Sequence, residues 1–302
     1  MGNTRWAGVW RLVDPKLTLA FLPPMLVGAA AAARQGPLAW GWLAASVGGI
    51  FLLEVAKNAS GEIVDFDSGA DLAVAPEDRT PFSGGKRVLV DGLLTRGQTA
   101  AVAAAGYLLA GIVGALIAWA REPRVVGIGL AGAALAFFYH APPLRLSYRG
   151  LGEVAVGVVY GPLLACGIYV VQRGDVPAEV AILSLPLGLL GVSFLWLAEF
   201  PDERADRSAG KRTLVVRLGR ARAARVYPFL VAAALVGQAL LPLAGFPRAV
   251  WLGLLALPFC VGAAVRVLRA HDETARLIPA IHAAWLSIAA LATGTAVGLL
   301  VG

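Results

Sequence analysis

Apolar runs dominate this chain, and polar residues gather in the gaps between them. A bilayer-spanning helix needs about 20 mostly apolar residues. Nine runs approach that length: roughly 17–34, 38–58, 97–120, 125–141, 152–172, 178–199, 225–245, 249–268 and 277–301. Gly97, Pro142-Pro143, Gly174 and Gly245 punctuate run ends, and Pro228 and Pro258 sit where they could kink a helix. The predicted fold class is all-α: a polytopic membrane protein with nine transmembrane helices in one bundle. The runs follow one another too closely for a separate soluble domain, so residues 1–302 are read as a single domain.

Composition agrees. Hydrophobic residues make up 58% of the chain and charged residues 15%, against about 25% charged in a soluble domain. Mean hydropathy is +0.73. The 36 glycines and 18 prolines suit helices that pack through small residues and accept breaks facing protein or water. Cys166 and Cys260 lie in apolar runs and read as packing residues. No small-residue cleavage site follows the first run, so that run is expected to be a retained helix. Trp6 stands where a myristoylation signal needs Ser or Thr.

Charge sets the expected orientation. With the N-terminus cytoplasmic and nine alternating spans, only Arg34, Arg121, Arg124, Arg173 and Arg248 of the 26 Lys and Arg face outward. That asymmetry follows the positive-inside rule. It accounts for much of the +7 net charge without nucleic acid, leaving attraction to anionic lipid and anionic substrate.

Two acidic stretches fall on the same cytoplasmic side, after spans two and six. One is Gly61-Glu62-Ile63-Val64-Asp65-Phe66-Asp67-Ser68-Gly69-Ala70-Asp71; the other is Glu199-Phe200-Pro201-Asp202-Glu203-Arg204-Ala205-Asp206. Carboxylates beside hydrocarbon are costly and point to function. Asp202 and Asp206 share a helix face, with Glu199 close to it, so a cation or basic partners should relieve their repulsion. Facing clusters of hard oxygen ligands suit Mg²⁺ holding a diphosphate. Glu62, Asp65 and Asp71 are the candidate ligands on one side, and Asp202 and Asp206 on the other. Lys211 and Arg145 are the favoured cations for the diphosphate, with Lys86 also nearby. Tyr139 either lines the site, where its ring could stabilise a cation, or belongs to the interfacial aromatic belt. His140, His271 and His282 show no metal-ligand spacing, and neither a nucleotide loop nor a nucleophile motif is found.

The pattern resembles the UbiA superfamily of intramembrane prenyltransferases, over nearly the whole chain. The similarity is strongest to the branch that prenylates 1,4-dihydroxy-2-naphthoate in menaquinone biosynthesis. The stretches that carry it run from Ser83 through Gly84-Gly85-Lys86-Arg87 to Leu94, from Pro143 through Arg145 and Tyr148 to Glu153, and from Phe200 through Asp202 and Asp206 to Gly210-Lys211-Arg212-Thr213-Leu214. The family's first motif usually opens Asn-Asp; here those positions are Gly61 and Glu62, and Asn58 lies one turn earlier as a candidate substitute. The resemblance implies an Mg²⁺-dependent transfer of a polyprenyl group from its diphosphate to an aromatic quinone precursor, in a prokaryotic cytoplasmic membrane with the active site on the inner face. Asp65 and Asp202 would be central to it. Glu199 would ligate metal, contact the acceptor or take its proton. The alternatives are the same fold with 4-hydroxybenzoate or a lipid alcohol as acceptor, a cation-coupled transporter, and an inactive scaffold.

Overall fold

The computed structural model describes residues 2–82, 84–175 and 178–302, with side chains from residue 5 onward. Ser83, the first residue of one family-like stretch, lies outside the described residues. Every regular element among the described residues is helical. In chain order they are α1 (Gly2–Val13), α2 (Leu22–Ala33), α3 (Trp40–Asp67), α4 (Arg96–Ala120), α5 (Val125–Phe138), α6 (Gly152–Arg173), α7 (Ala178–Ser208), α8 (Leu214–Leu218), α9 (Arg220–Ala244), α10 (Arg248–Ala270) and α11 (Thr274–Val301).

Seven described segments are long and apolar enough to cross a membrane: Arg5–Ala33, which takes in most of α1 and all of α2, then α4, α6, α7, α9, α10 and α11. α3 has the length, at 28 residues, but carries Glu54 and Lys57 within it. α5 is apolar but has only 14 residues. Large apolar side chains cover the outside of the bundle: Trp119 is 86% exposed, Leu243 84% and Phe229 74%. Exposure of that kind over many helices fits contact with hydrocarbon, not water.

The helices pack as a closed ring. α3 lies along α4, α2 against the second half of α6, α6 against α7, α7 against α9, and α10 against α11. The ring closes where α11 packs on α2. Small residues let the backbones meet. A Cβ added to Gly188 of α7 would lie 2.4 Å from the Gly157 carbonyl oxygen of α6, and one on Gly294 of α11 would lie 2.2 Å from the Leu252 oxygen of α10. The largest core cluster sits among α7, α9, α10 and α11, with Phe200, Tyr227, Leu277 and Ile281 fully buried.

Several boundaries differ from those read in the sequence. α3 continues past residue 58 to Asp67, and α7 continues past 199 through Pro201 to Ser208. The second acidic stretch and the first as far as Asp67 therefore continue the helices, as the shared helix face of Asp202 and Asp206 requires, and Asp71 follows in the turn beyond α3. The stretch before Pro15 is helical too, ending at Asp14, whose φ is +37°. α6 is interrupted by a π turn at Val159–Leu163 around Pro162, and α10 begins as a 3₁₀ segment at Arg248–Ala256.

Candidate active site

The ends of α3 and α7 face each other across a cavity of about 540 Å³. Its lining includes Asn58 of α3, Glu62, Asp65 and Asp71 from the first stretch, Glu199, Asp202 and Asp206 from the second, and Tyr139, Lys86 and Lys211. Ten of the candidate residues thus share one space, although up to 153 positions separate Asn58 from Lys211.

Lys211 is the joint between the two halves. Its Nζ lies 3.3 Å from Asp206 Oδ1 and 3.9 Å from Asp65 Oδ2. Burial pulls its ammonium pKa down, but Asp206, Asp65 and Asp202 together hold it well above the ordinary value. The turn Ala209–Gly210 aims it inward; the Lys211 N–H closes that turn onto the Asp206 carbonyl at 2.8 Å.

The carboxylates are held from outside their own helices. Asp65 Oδ1 accepts from the Tyr148 hydroxyl at 2.8 Å, and Glu62 Oε1 accepts from the Leu89 N–H at 2.9 Å. Asp202 Oδ1 accepts from the Gly84 N–H at 2.7 Å. Gly85 has φ +71° and passes so close to Asp71 that an added Cβ would sit 2.3 Å from its Oδ1. A segment between α3 and α4 therefore folds over the cavity and presents backbone donors to both acidic stretches. Burial, then the neighbouring Asp65 and Glu62 charges, push the Asp71 carboxyl up to about 8.

Among the described residues, no three His, Cys, Asp or Glu side chains converge on a point that would enclose a metal ion. Mg²⁺ does not need such a cage. It is commonly bound by one or two carboxylates, with waters and substrate phosphates completing the shell. Two facing groups of hard oxygen donors, one including the buried carboxyl of Asp71, fit that mode.

Other candidates are placed differently. Arg145 does not line the cavity; its guanidinium stacks 3.9 Å over the Tyr148 ring, on a residue whose φ is +44°. It acts on Asp65 only through the charge it sets behind Tyr148. Lys86 lines the cavity but is paired with Asp14 at 3.0 Å. The Asn58 amide donates to the Leu12 carbonyl at 3.1 Å and to Thr18 Oγ1 at 3.0 Å, so it ties α3 to the N-terminal segment while bordering the cavity. Glu199 is 7% exposed, and its Oε2 has no hydrogen-bond partner among the described residues. The Tyr139 hydroxyl is pushed up by burial and then by Glu199.

Three cavity residues escaped the sequence reading. Lys16 lines the mouth beside Pro15. Asp14 orients Lys86. His140 covers Gly61: a Cβ there would lie 2.8 Å from the imidazole Nδ1 and Cε1. Its Nε2 is 3.7 Å from Asp65 Oδ2, and burial pulls the ring down to about 4, against the pull of Asp65, so it is neutral near pH 7. The only sequence signal for His140 was its place after the aromatic run that ends α5.

Comparisons with known proteins bear on the family and the fold. The UbiA prenyltransferase family model matches residues 21–288. The chain is 30% identical over 237 residues to the 1,4-dihydroxy-2-naphthoate octaprenyltransferase of Escherichia coli, covering 74% of this chain and 73% of that one. It is 28% identical over 281 residues to the enzyme of the same name from Mycobacterium tuberculosis, covering 93% and 92%. The match to a 2-carboxy-1,4-naphthoquinone phytyltransferase of Synechocystis spans only about half of each chain, at 54% and 50%. A UbiA homolog from Archaeoglobus fulgidus, solved bound to GPP and Mg²⁺, superposes with a TM-score of 0.65 over 95% of this chain and 99% of that one; at 16% identity this shows the fold. With matching acidic helix ends, one shared cavity and a family match over most of its length, this chain belongs to the UbiA prenyltransferase family.

Proposed function

We propose that the chain transfers a polyprenyl group from an allylic diphosphate to an aromatic quinone precursor, 1,4-dihydroxy-2-naphthoate or a close relative. The observation that carries this is Lys211, one ammonium in contact with both acidic stretches across one cavity. An anionic diphosphate in that cavity meets Lys211, Lys86 and Lys16. Glu62, Asp65 and Asp71 on one side, and Asp202 and Asp206 on the other, would hold Mg²⁺. Bound Mg²⁺ would neutralise charge on the departing diphosphate.

The remaining work falls to the chain's own groups. As the allylic C–O bond breaks, its electron pair leaves with the diphosphate, and Lys211 stabilises that charge. The Tyr139 ring borders the cavity where the allylic cation forms and offers it a π face. An electron-rich ring carbon of the acceptor makes the new C–C bond. The ring regains aromaticity by losing what that carbon carried; where this is a proton, Glu199, with its free Oε2, is the carboxylate to receive it. A second, apolar groove of about 870 Å³ between α2 and α11 shares Pro15, Lys16 and Phe82 with the first cavity. It can take the prenyl tail directly from lipid. On this reading α3 and α5 complete nine spans, the N-terminus is cytoplasmic, and the site opens on the inner face of a prokaryotic cytoplasmic membrane.

Purified protein supplied with Mg²⁺, labelled geranylgeranyl diphosphate and a panel of aromatic acceptors should yield a prenylated naphthoate. Transfer to none of them, or cation-driven uptake into proteoliposomes with no diphosphate turnover, would contradict the reading.

A further inference from the structure

A third cavity, of about 240 Å³, lies deeper in the bundle and shares Asn58, Tyr139, His140 and Leu195 with the carboxylate-lined one. Its walls are mostly apolar, among them Leu135, Val156, Leu187 and Phe194. One end is not. Lys57 Nζ meets Glu54 Oε2 at 2.6 Å and the Tyr160 hydroxyl at 3.1 Å, and that hydroxyl donates to Glu54 Oε1 at 2.7 Å. Glu54 is 7% exposed. At 1.5 Å per residue it lies about 16 Å up α3 from Asp65, within the apolar run 38–58. Tyr160 reaches the triad from the π turn of α6, a device that redirects a side chain within a helix.

A closed ion pair at that depth is poorly explained by stability, because well-packed apolar residues would serve as well or better. Intramembrane charges call for a use. An ammonium carries three donors. Glu54 and Tyr160 take two of the three on Lys57, and Lys57 lines the cavity. We propose that this chamber is the acceptor-binding site: it holds the aromatic ring between its apolar walls, with an acidic ring substituent, a carboxylate or phenolic hydroxyl, on the remaining Lys57 donor, which Tyr160 helps to orient. The opening at Tyr139 and His140 then points the ring toward the allylic carbon in the adjoining cavity. A prenyl tail is the rival occupant, but it would bury the free Lys57 donor against hydrocarbon. The wide α2–α11 groove carries its ammonium, Lys16, where it joins the first cavity, and its remaining lining is mostly apolar, so it suits the tail better.

This inference rests on the transferase reading, and its test separates the two. Replacing Lys57 alone would strand Glu54, so the variants are Lys57→Met with Glu54→Gln, and Tyr160→Phe alone, which removes one hydroxyl. Binding of 1,4-dihydroxy-2-naphthoate to the detergent-solubilised protein is measured by calorimetry without donor, and steady-state kinetics are measured with donor. The expected result is an acceptor Kd and KM raised about tenfold or more in the double variant, with the KM of geranylgeranyl diphosphate within about twofold of wild type. Tyr160→Phe, the variant least able to disturb folding, should shift acceptor binding in the same direction. Unchanged acceptor binding in both variants would overturn the assignment. So would a donor KM that rises with tail length. Acceptor binding that depends on Lys57 in a protein that prenylates nothing would uphold the chamber and defeat the transferase reading.

Discussion

Gly61 sits directly under the imidazole of His140, and that contact accounts for a glycine where the family's first motif usually has Asn. Alanine favours a helix over glycine by about 1 kcal/mol, yet a Cβ here would meet the ring at 2.8 Å. Overpacking a filled site costs about 1–3 kcal/mol, so the clash should win. Gly61→Ala is expected to lower the melting temperature in the wild-type background and to raise it in His140→Ala, where the space is open. Equal effects in both backgrounds would separate Gly61 from His140. At this scale the carboxylates were legible, because acidic residues stand out beside hydrocarbon runs. Lys211 was legible for the same reason. Single residues whose role comes from what the fold brings beside them were not: His140 shows no metal-ligand spacing, and nothing in the local pattern singles out Lys16, Glu54 or Lys57. Arg145 looked like a diphosphate ligand, but the aromatic face of Tyr148 captures it.

Among elements, the segment between α3 and α4 does most to shape the site. Its Gly84 and Leu89 N–H groups hold Asp202 and Glu62. It is latched from below by Asp78, which accepts from Thr274 Oγ1 of α11 at 2.5 Å and lies 3.6 Å from Arg220 of α9. Arg220 also reaches the Asp272 carbonyl at 3.2 Å and approaches Glu203 of α7 at 4.0 Å. Asp78, Glu203 and Arg220 are all nearly buried. Arg220→Met should therefore leave buried Asp78 without its cation, while Glu203 keeps Arg207, and destabilise the protein by about 3–5 kcal/mol. Limited proteolysis should find new cuts in residues 72–95 before the bundle opens. An unchanged melting temperature and cleavage pattern would show that the latch is not needed. Hydropathy located the helix centres well, since burial in lipid or in the core demands apolar residues in either case. It misplaced the ends of α3 and α7 because their last turns carry the site's charges. The latch joins residues far apart in the chain, which no local pattern reports.

For the molecule as a whole, the ring of helices places both acidic ends on one face and the apolar groove beside them. On the reading proposed above, that face is the cytoplasmic one, and labelling can test it. Cys166 and Cys260 are buried, so single cysteines at exposed Arg204 and Arg124 can report sidedness. In right-side-out vesicles a membrane-impermeant maleimide should label Arg124→Cys and leave Arg204→Cys untouched until the membrane is opened; labelling of both from outside would break the nine-span topology. The central claim is that the two halves act on one diphosphate, and calorimetry of Mg²⁺-dependent geranylgeranyl diphosphate binding tests it most directly. Asp65→Ala and Asp202→Ala should each abolish binding without unfolding the protein, and the double variant should be no worse, because both residues serve one ligand. Near-wild-type binding in either single variant, or losses that simply add, would contradict a shared site.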